Sequence, residues 1–400
     1  MSFNRTHVCA APLPPEADLL IACGAVCATN EAPDRVASLA AEQIAWQLFL
    51  RMAAGHGMSA IAWRALAPHA NLIPADVLAA LRANHLTISA RALYLANELL
   101  NVIQIIGNDG VPAVAFKGPT LASLAYDELG LRQFSDLDIL IPPGAIARVR
   151  QTLIAHGYRP RCSDARAINS PVFQCYEELF VADDGVAVLD LHWRILPHYI
   201  SFSDADSLWS RVRRIGLRGR PVSTLAEEDL LFFLCVHGAK HGWPLLSWIC
   251  DLAGLIHRGA AIDWKALISR AQAVAGLRSL LLGLRLAHDL MNVAVPSDLI
   301  LASRDNPTVE DLENRVVRAM FRNCGDRAGF SQELIIPLRS IESSPAKIRY
   351  LAGRAFTPTL EDWEAMPLPA PLFPLYYLTR PFRLSFAQMK HALRKTAASA

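Results

Sequence analysis

Four hundred residues exceed what one hydrophobic core usually supports, so two or three structural units are expected. Apolar residues make up 52% and charged residues 19%, which excludes a wholly disordered chain. A net charge of +2 with no run of Lys and Arg argues against a dedicated nucleic-acid partner.

Residues 1–16 are Pro-rich and read as a loose N-terminus. The apolar stretch from Leu19 to Ala28 is too short to span a bilayer, and Glu16 and Asp18 precede it where a signal peptide would carry positive charge. The cytoplasm is therefore the expected location. The eight cysteines form no CxxC pair and read as free thiols in a reducing compartment. Residues 17–105 read as helical, from apolar residues recurring at three- and four-residue steps, and Gly107-Asn108-Asp109-Gly110 stops the last helix.

The pattern then changes. Val111 to Phe116 reads as a short buried strand, and Pro119 opens a helix that runs to Glu128. Leu137 to Ile141 is a second strand, and residues 144–156 are a second helix. Leu179 to Val181 and Val186 to Leu191 are two further strands about an Asp183-Asp184-Gly185 turn. This predicts a small mixed-sheet unit. Helices follow over 226–239, 244–258, 263–275, 277–292 and 309–323. The fold class is α+β. The expected organisation is a helical region at 17–84, an α/β unit at 85–200, a helical domain at 201–365, and a Pro-rich segment with a basic helix at 366–400.

The central signal is Phe134-Ser135-Asp136-Leu137-Asp138-Ile139. Residues two apart on a strand share a face, so Asp136 and Asp138 sit together. Adjacent carboxylates repel, and a divalent cation relieves that conflict. Asp190 lies between apolar strand residues and supplies a third carboxylate. Three carboxylates on neighbouring strands suit two Mg²⁺ ions that clamp a phosphoryl displacement. A turn-capping role for the Asp pair is the competing reading. Lys117-Gly118 occupies a strand-to-helix turn, a place that binds phosphate or is simply an ordinary connection. Arg132 either contacts phosphate or pairs with a carboxylate. His192 shares a strand face with Asp190 and either orients an acceptor or is structural. His237 and His241 share a helix face; the Glu of a zinc HExxH helix is absent, so contact with the cleft is preferred. The tail from Arg380 to Lys395 is basic and amphipathic, suited to peripheral membrane contact or to docking on the fold.

Taken together, Ala115 to Leu121, Tyr126, Gly130, Arg132, Asp136 to Leu140 and Leu189-Asp190-Leu191-His192-Trp193 resemble the uncharacterised bacterial nucleotidyltransferase family (NTP_transf_5-like). That family falls within the DNA polymerase β-type superfold. His237, His241, Trp248 and Asp251 resemble its helical C-terminal segment. The resemblance implies an EC 2.7.7-type enzyme that moves a nucleoside monophosphate from an NTP, ATP by default, to an acceptor. The acceptor is a small molecule, a peptide, a natural product or a protein side chain. Asp136, Asp138 and Asp190 would be its catalytic metal ligands. Gly118 and Thr120 would stand at the superfold's phosphate turn, although Lys117-Gly118-Pro119 departs from the usual Gly-Ser. The alternative is an inactive nucleotide- or partner-binding protein on the same fold.

Overall fold

The computed structural model describes residues 13–29, 33–162, 164–168, 170–202, 205–259, 262–322 and 330–386. The chain opens with five helices: α1 (Pro15–Thr29), α2 (Pro33–Ala40), α3 (Trp46–Gly55), α4 (Ser59–Leu66) and α5 (Ala75–Asn108). β1 (Val114–Ala115), α6 (Gly118–Ala125), β2 (Asp136–Leu140), α7 (Ile146–Ala155) and β3 (Tyr158–Pro160) follow. Next come α8 (Ala165–Ile168), β4 (Glu177–Ala182), β5 (Val188–His192) and α9 (Ala205–Ser210). β6 (Arg213–Leu217) and β7 (Arg220–Thr224) form a separate hairpin. The remaining helices are α10 (Glu227–His241), α11 (Leu246–Arg258), α12 (Trp264–Ala273), α13 (Leu277–Met291), α14 (Ser297–Arg304), α15 (Pro307–Arg322), α16 (Phe330–Ser340), α17 (Ser344–Phe356) and α18 (Leu360–Ala365). Residues 376–386 are also helical.

Five strands make one mixed sheet in the order β1-β2-β5-β4-β3. β2 and β5 are parallel; the other pairs are antiparallel. One face of this sheet carries Leu137, Ile139, Phe180, Ala182, Leu189 and Leu191, which pack with Leu95, Leu99, Val102, Val149 and Leu153 of α5 and α7. The alternate residues of the same strands face the other way. Strand periodicity thus separates an apolar side from the side that carries Asp136, Asp138, Asp190 and His192.

The N-terminal and later helices share a second core. α1 is buried almost all round, and its Leu19, Leu20, Ile21 and Cys23 join Leu246, Ile249, Leu252, Leu284 and Met291. The apolar stretch that is too short to cross a bilayer is therefore the middle of this cluster. No helix among the described residues is long and apolar enough to cross a membrane. The described cysteines are free, and all but Cys175 are buried; Cys9 and Cys324 lie outside the described residues.

Several boundaries differ from the sequence reading. α1 begins at Pro15, inside the segment expected to be loose, because its apolar residues find partners on α4, α11 and α13; residues 1–12 lie outside the described residues. α5 runs unbroken through the boundary set between residues 84 and 85. The strand expected over 111–116 pairs only at Val114 and Ala115. The hairpin β6–β7 was not anticipated. Its turn puts Arg218 and Gly219 at φ 50° and 77°, the mirror-image turn that matches strand twist, and Leu217 and Val222 join the sheet core. Part of the basic C-terminal helix, residues 387–400, lies outside the described residues.

α6 and α11 touch almost backbone to backbone. A Cβ on Gly254 of α11 would overlap the carbonyl oxygen of Ala125. Replacing Gly254 with Ala must therefore push the helices apart, and overpacking of this kind costs about 1–3 kcal/mol. Urea denaturation of Gly254→Ala should show a loss in that range at unchanged m-value. A stability equal to wild type would mean the helices are not held this closely.

Candidate active site

β2 and β5 set the centre of the site. Their parallel register places Asp138 directly beside Asp190, with Leu140 beside His192. Asp138, Asp190 and His192 each offer one ligand atom, and these atoms all lie within 4.8 Å of one another. Asp136 is two residues earlier on the same strand face. It lines the same cavity but stands outside that group of three.

Asp138 is the most enclosed of the carboxylates. Its side chain is 1% exposed. Oδ1 accepts from Lys117 Nζ at 2.6 Å and lies 3.3 Å from His192 Nε2. Oδ2 is buried with no hydrogen-bond partner. Burial favours the neutral acid, but Lys117 and His192 outweigh it and hold this carboxyl well below the usual carboxylate range. Asp190 behaves oppositely. Burial first, and then the charge of Asp138, push it up to about 7. Asp136 is raised for the same two reasons. The ammonium of Lys117 is strengthened: burial alone would weaken it, and Asp138 more than compensates.

A buried carboxylate oxygen without a partner is costly, and a cation is the ligand that satisfies it. Two carboxylates and an imidazole also form a suitable donor set for a divalent ion. The residues present therefore fit a metal at Asp138, Asp190 and His192, with Asp136 adjacent.

Lys117 reaches the site because the chain turns sharply after β1. Gly118 opens α6 at φ +51°, and a Cβ there would sit 3.1 Å from the carbonyl oxygen of Asp136. Only glycine adopts this conformation and approach without strain. Thr120 is fully buried, and its hydroxyl donates to the Lys117 carbonyl at 2.7 Å. Gly118 and Thr120 shape the turn, while Lys117 lines the cavity.

Arg132 donates from Nε to Asp251 Oδ2 at 2.8 Å, and Tyr126 donates to Asp251 Oδ1 at 2.9 Å. Both oxygens of this α11 carboxylate are thus satisfied. Arg132 Nη1 is buried without a partner. Of the two roles open to Arg132 from sequence, the carboxylate pair is present, and one guanidinium nitrogen is left over beside the cavity.

That cavity holds about 580 Å³. Its floor is the carboxylate face of the sheet. Its roof is α10 and α11, which contribute His237, Lys240, His241, Trp248 and Asp251. His237 packs between the rings of Phe233, His241 and Trp248, at centroid distances of 5.4, 4.7 and 4.9 Å. Both histidines face the cavity. Burial, followed by the nearby Lys117 charge, keeps His237 neutral far below its ordinary titration range. Lys240 lies over the Tyr176 ring, and burial pushes its ammonium down to about 8.

Two further cavities share walls with this one. One, of about 520 Å³, shares the wall Arg132, Gln133, Phe134, Ser135, Leu245, Trp248 and Asp251 and carries Arg91 on α5. The other, of about 290 Å³, shares Tyr176 and Glu177. Glu177 was not singled out from sequence. Strand pairing sets it opposite His192, and its Oε2 lies 3.3 Å from His192 Nδ1. Alternation along β4 was the signal that could have found it. Trp248 is half-buried and lines the cavity.

The chain belongs to the NTP_transf_5 family, described as uncharacterised nucleotidyltransferase, whose sequence model matches residues 42–292. Among solved structures, an antigenic nucleotidyltransferase-like protein from Paracoccidioides brasiliensis is similar over 57% of this chain and 97% of that one, at 14% identity and a TM-score of 0.33. No curated protein matches the chain.

The neutral His237 has a consequence for stability. In the unfolded chain it titrates near its ordinary value of about 6.5. Below that pH the unfolded state binds a proton that the folded state does not, so stability falls as pH drops through this range. Denaturation at pH 7.5 and pH 5 should show a smaller loss in His237→Asn than in wild type, by about 2 kcal/mol. Identical losses would mean that His237 is protonated in the folded protein.

Proposed function

We propose that this chain is a divalent-metal-dependent nucleotidyltransferase that moves a nucleoside monophosphate from a nucleoside triphosphate to the hydroxyl of an acceptor. The carrying observation is the in-register pair Asp138 and Asp190, with Asp138 Oδ2 buried and unpartnered, at the floor of the cavity. Asp136, Asp138 and Asp190 are the carboxylates that would hold Mg²⁺, with His192 beside Asp138. When bound, the ion neutralises these carboxylates and polarises the phosphoryl oxygens.

Two cations of the site, Lys117 and Arg132, come from the β1–β2 side of the carboxylates, while Lys240 lies over Tyr176 on the β4 side. Lys117 follows β1, and Arg132 precedes β2. A triphosphate placed on that side meets the Lys117 ammonium and the free Arg132 nitrogen. The opposite side is β4, with Glu177 and Tyr176, and leads to the smaller chamber. The acceptor is assigned to that side. Its hydroxyl attacks the α-phosphorus as Asp190 takes the proton; the bond to the pyrophosphate oxygen breaks, and pyrophosphate leaves. His237, His241 and Trp248 form an aromatic roof over the site, against which a bound ligand would pack. ATP is the default donor, and a small molecule, peptide or protein side chain is the acceptor class.

One observation supports a second reading. Lys117 Nζ already sits 2.6 Å from Asp138 Oδ1, and a fixed ammonium there would do the electrostatic work of a cation without transfer. A nucleotide-binding protein that does not turn over would look like this.

Calorimetry with ATP, GTP, CTP and UTP, with and without Mg²⁺, followed by release of labelled pyrophosphate, separates the two. Metal-dependent binding with turnover is expected. Asp138→Asn should lower turnover by about 100-fold or more with unchanged circular dichroism. Tight metal-independent binding with no pyrophosphate from any donor would favour the second reading. A fully active Asp138→Asn variant would remove Asp138 from the mechanism.

A further inference from the structure

The helical segment 376–386 is folded with its polar side inward. Tyr376 is fully buried against Phe173 and Phe373, and its hydroxyl donates to the Met366 carbonyl and accepts from the Leu368 amide. Arg380 is buried as well. Its guanidinium reaches Asp362 Oδ2, Thr359 Oγ1 and the carbonyl of Arg354 at the end of α17. Arg383 donates to the other oxygen of Asp362. One buried carboxylate therefore clamps two arginines and fixes the rotation of the helix.

That rotation turns the apolar side outward. Leu375, Leu378 and Phe382 follow one another at three- and four-residue spacing, and Leu378 and Phe382 are 67% and 77% exposed. Leu372, just before them, is exposed too. The same spacing continues in the sequence at Phe386, Met389 and Leu393. On α17, whose last turn holds Arg380, Ile348 and Leu351 are also exposed. A contiguous apolar ridge of this kind on a folded chain marks a surface made to be covered.

Charge selects what covers it. From Ala365 to Ala400 the sequence contains no Asp or Glu, and it carries Arg380, Arg383, Lys390, Arg394 and Lys395. Asp362 and Glu361 pair with the first two; the last three, outside the described residues, have no acidic residue near them in sequence. A second copy of the chain, meeting this face about a twofold axis, would set the same basic run against itself. An anionic lipid surface supplies the opposite charge and an apolar layer together. No described helix is long and apolar enough to cross a membrane, so the contact is one of lying on the surface.

We propose that the Leu375–Leu378–Phe382 face, with the basic sequence after it, binds an anionic membrane surface. The full-length protein should sediment with phosphatidylcholine vesicles that contain phosphatidylserine and not with phosphatidylcholine alone. Added salt should weaken the binding. The double variant Leu378→Glu, Phe382→Glu changes only exposed side chains, and its circular dichroism should match wild type. Its vesicle binding should fall by at least about tenfold. Equal sedimentation of wild type and variant, or no sedimentation with either vesicle, would overturn the proposal. Dimerisation in analytical ultracentrifugation that the variant abolishes, without vesicle binding, would assign the face to a second copy and overturn it equally.

Discussion

Asp138 and Asp190 face each other across the one parallel pair in the sheet, and much of the surrounding structure answers their repulsion. Two carboxylates at hydrogen-bonded strand spacing cannot both stay ionised in a dry site without compensation. The protein divides the problem unequally. Asp138 takes Lys117 and His192 and is held as an anion, while Asp190 is left to burial and to the charge of Asp138, and its proton affinity rises. The result is one fixed carboxylate and one that exchanges a proton near neutrality. An unpartnered oxygen on the fixed one leaves a place for a further cation.

That arrangement needs a sheet with two chemically different sides. The apolar side is sealed by α5 and α7, so the polar side can be left open beneath α10 and α11. The roof is tied down by charge and by close packing at the same point. Asp251 on α11 binds Arg132 and Tyr126, and Gly254, three residues on, brings α11 against the end of α6. The α6 helix begins at Gly118, beside Lys117. A single short path therefore connects the roof, Arg132 and the lysine on Asp138. Its geometry explains why small residues occur where the helices cross and why the buried arginine is not left alone.

The family match ends at residue 292, and the outward-facing apolar ridge lies beyond it. The C-terminal segment still meets the site. Phe373 and Tyr376 pack against Phe173, and Arg380 lines the small chamber that shares Tyr176 and Glu177 with the main cavity.

Sequence alone carried the features that depend on local spacing. Alternation put Asp136 and Asp138 on one strand face, the apolar flanks of Asp190 placed it on a strand, and the four-residue step set His237 beside His241. Gly118 was legible because a strand-to-helix turn needs an unusual backbone. Tertiary structure decided whatever depends on partners distant in the chain. Asp251 meets Arg132 across 119 residues, and Glu177 reaches His192 only through strand pairing. The rotation of the last helix was decided in the same way. Periodicity shows that a helix has an apolar side, but only the buried Asp362, by claiming Arg380 and Arg383, determines that this side faces out.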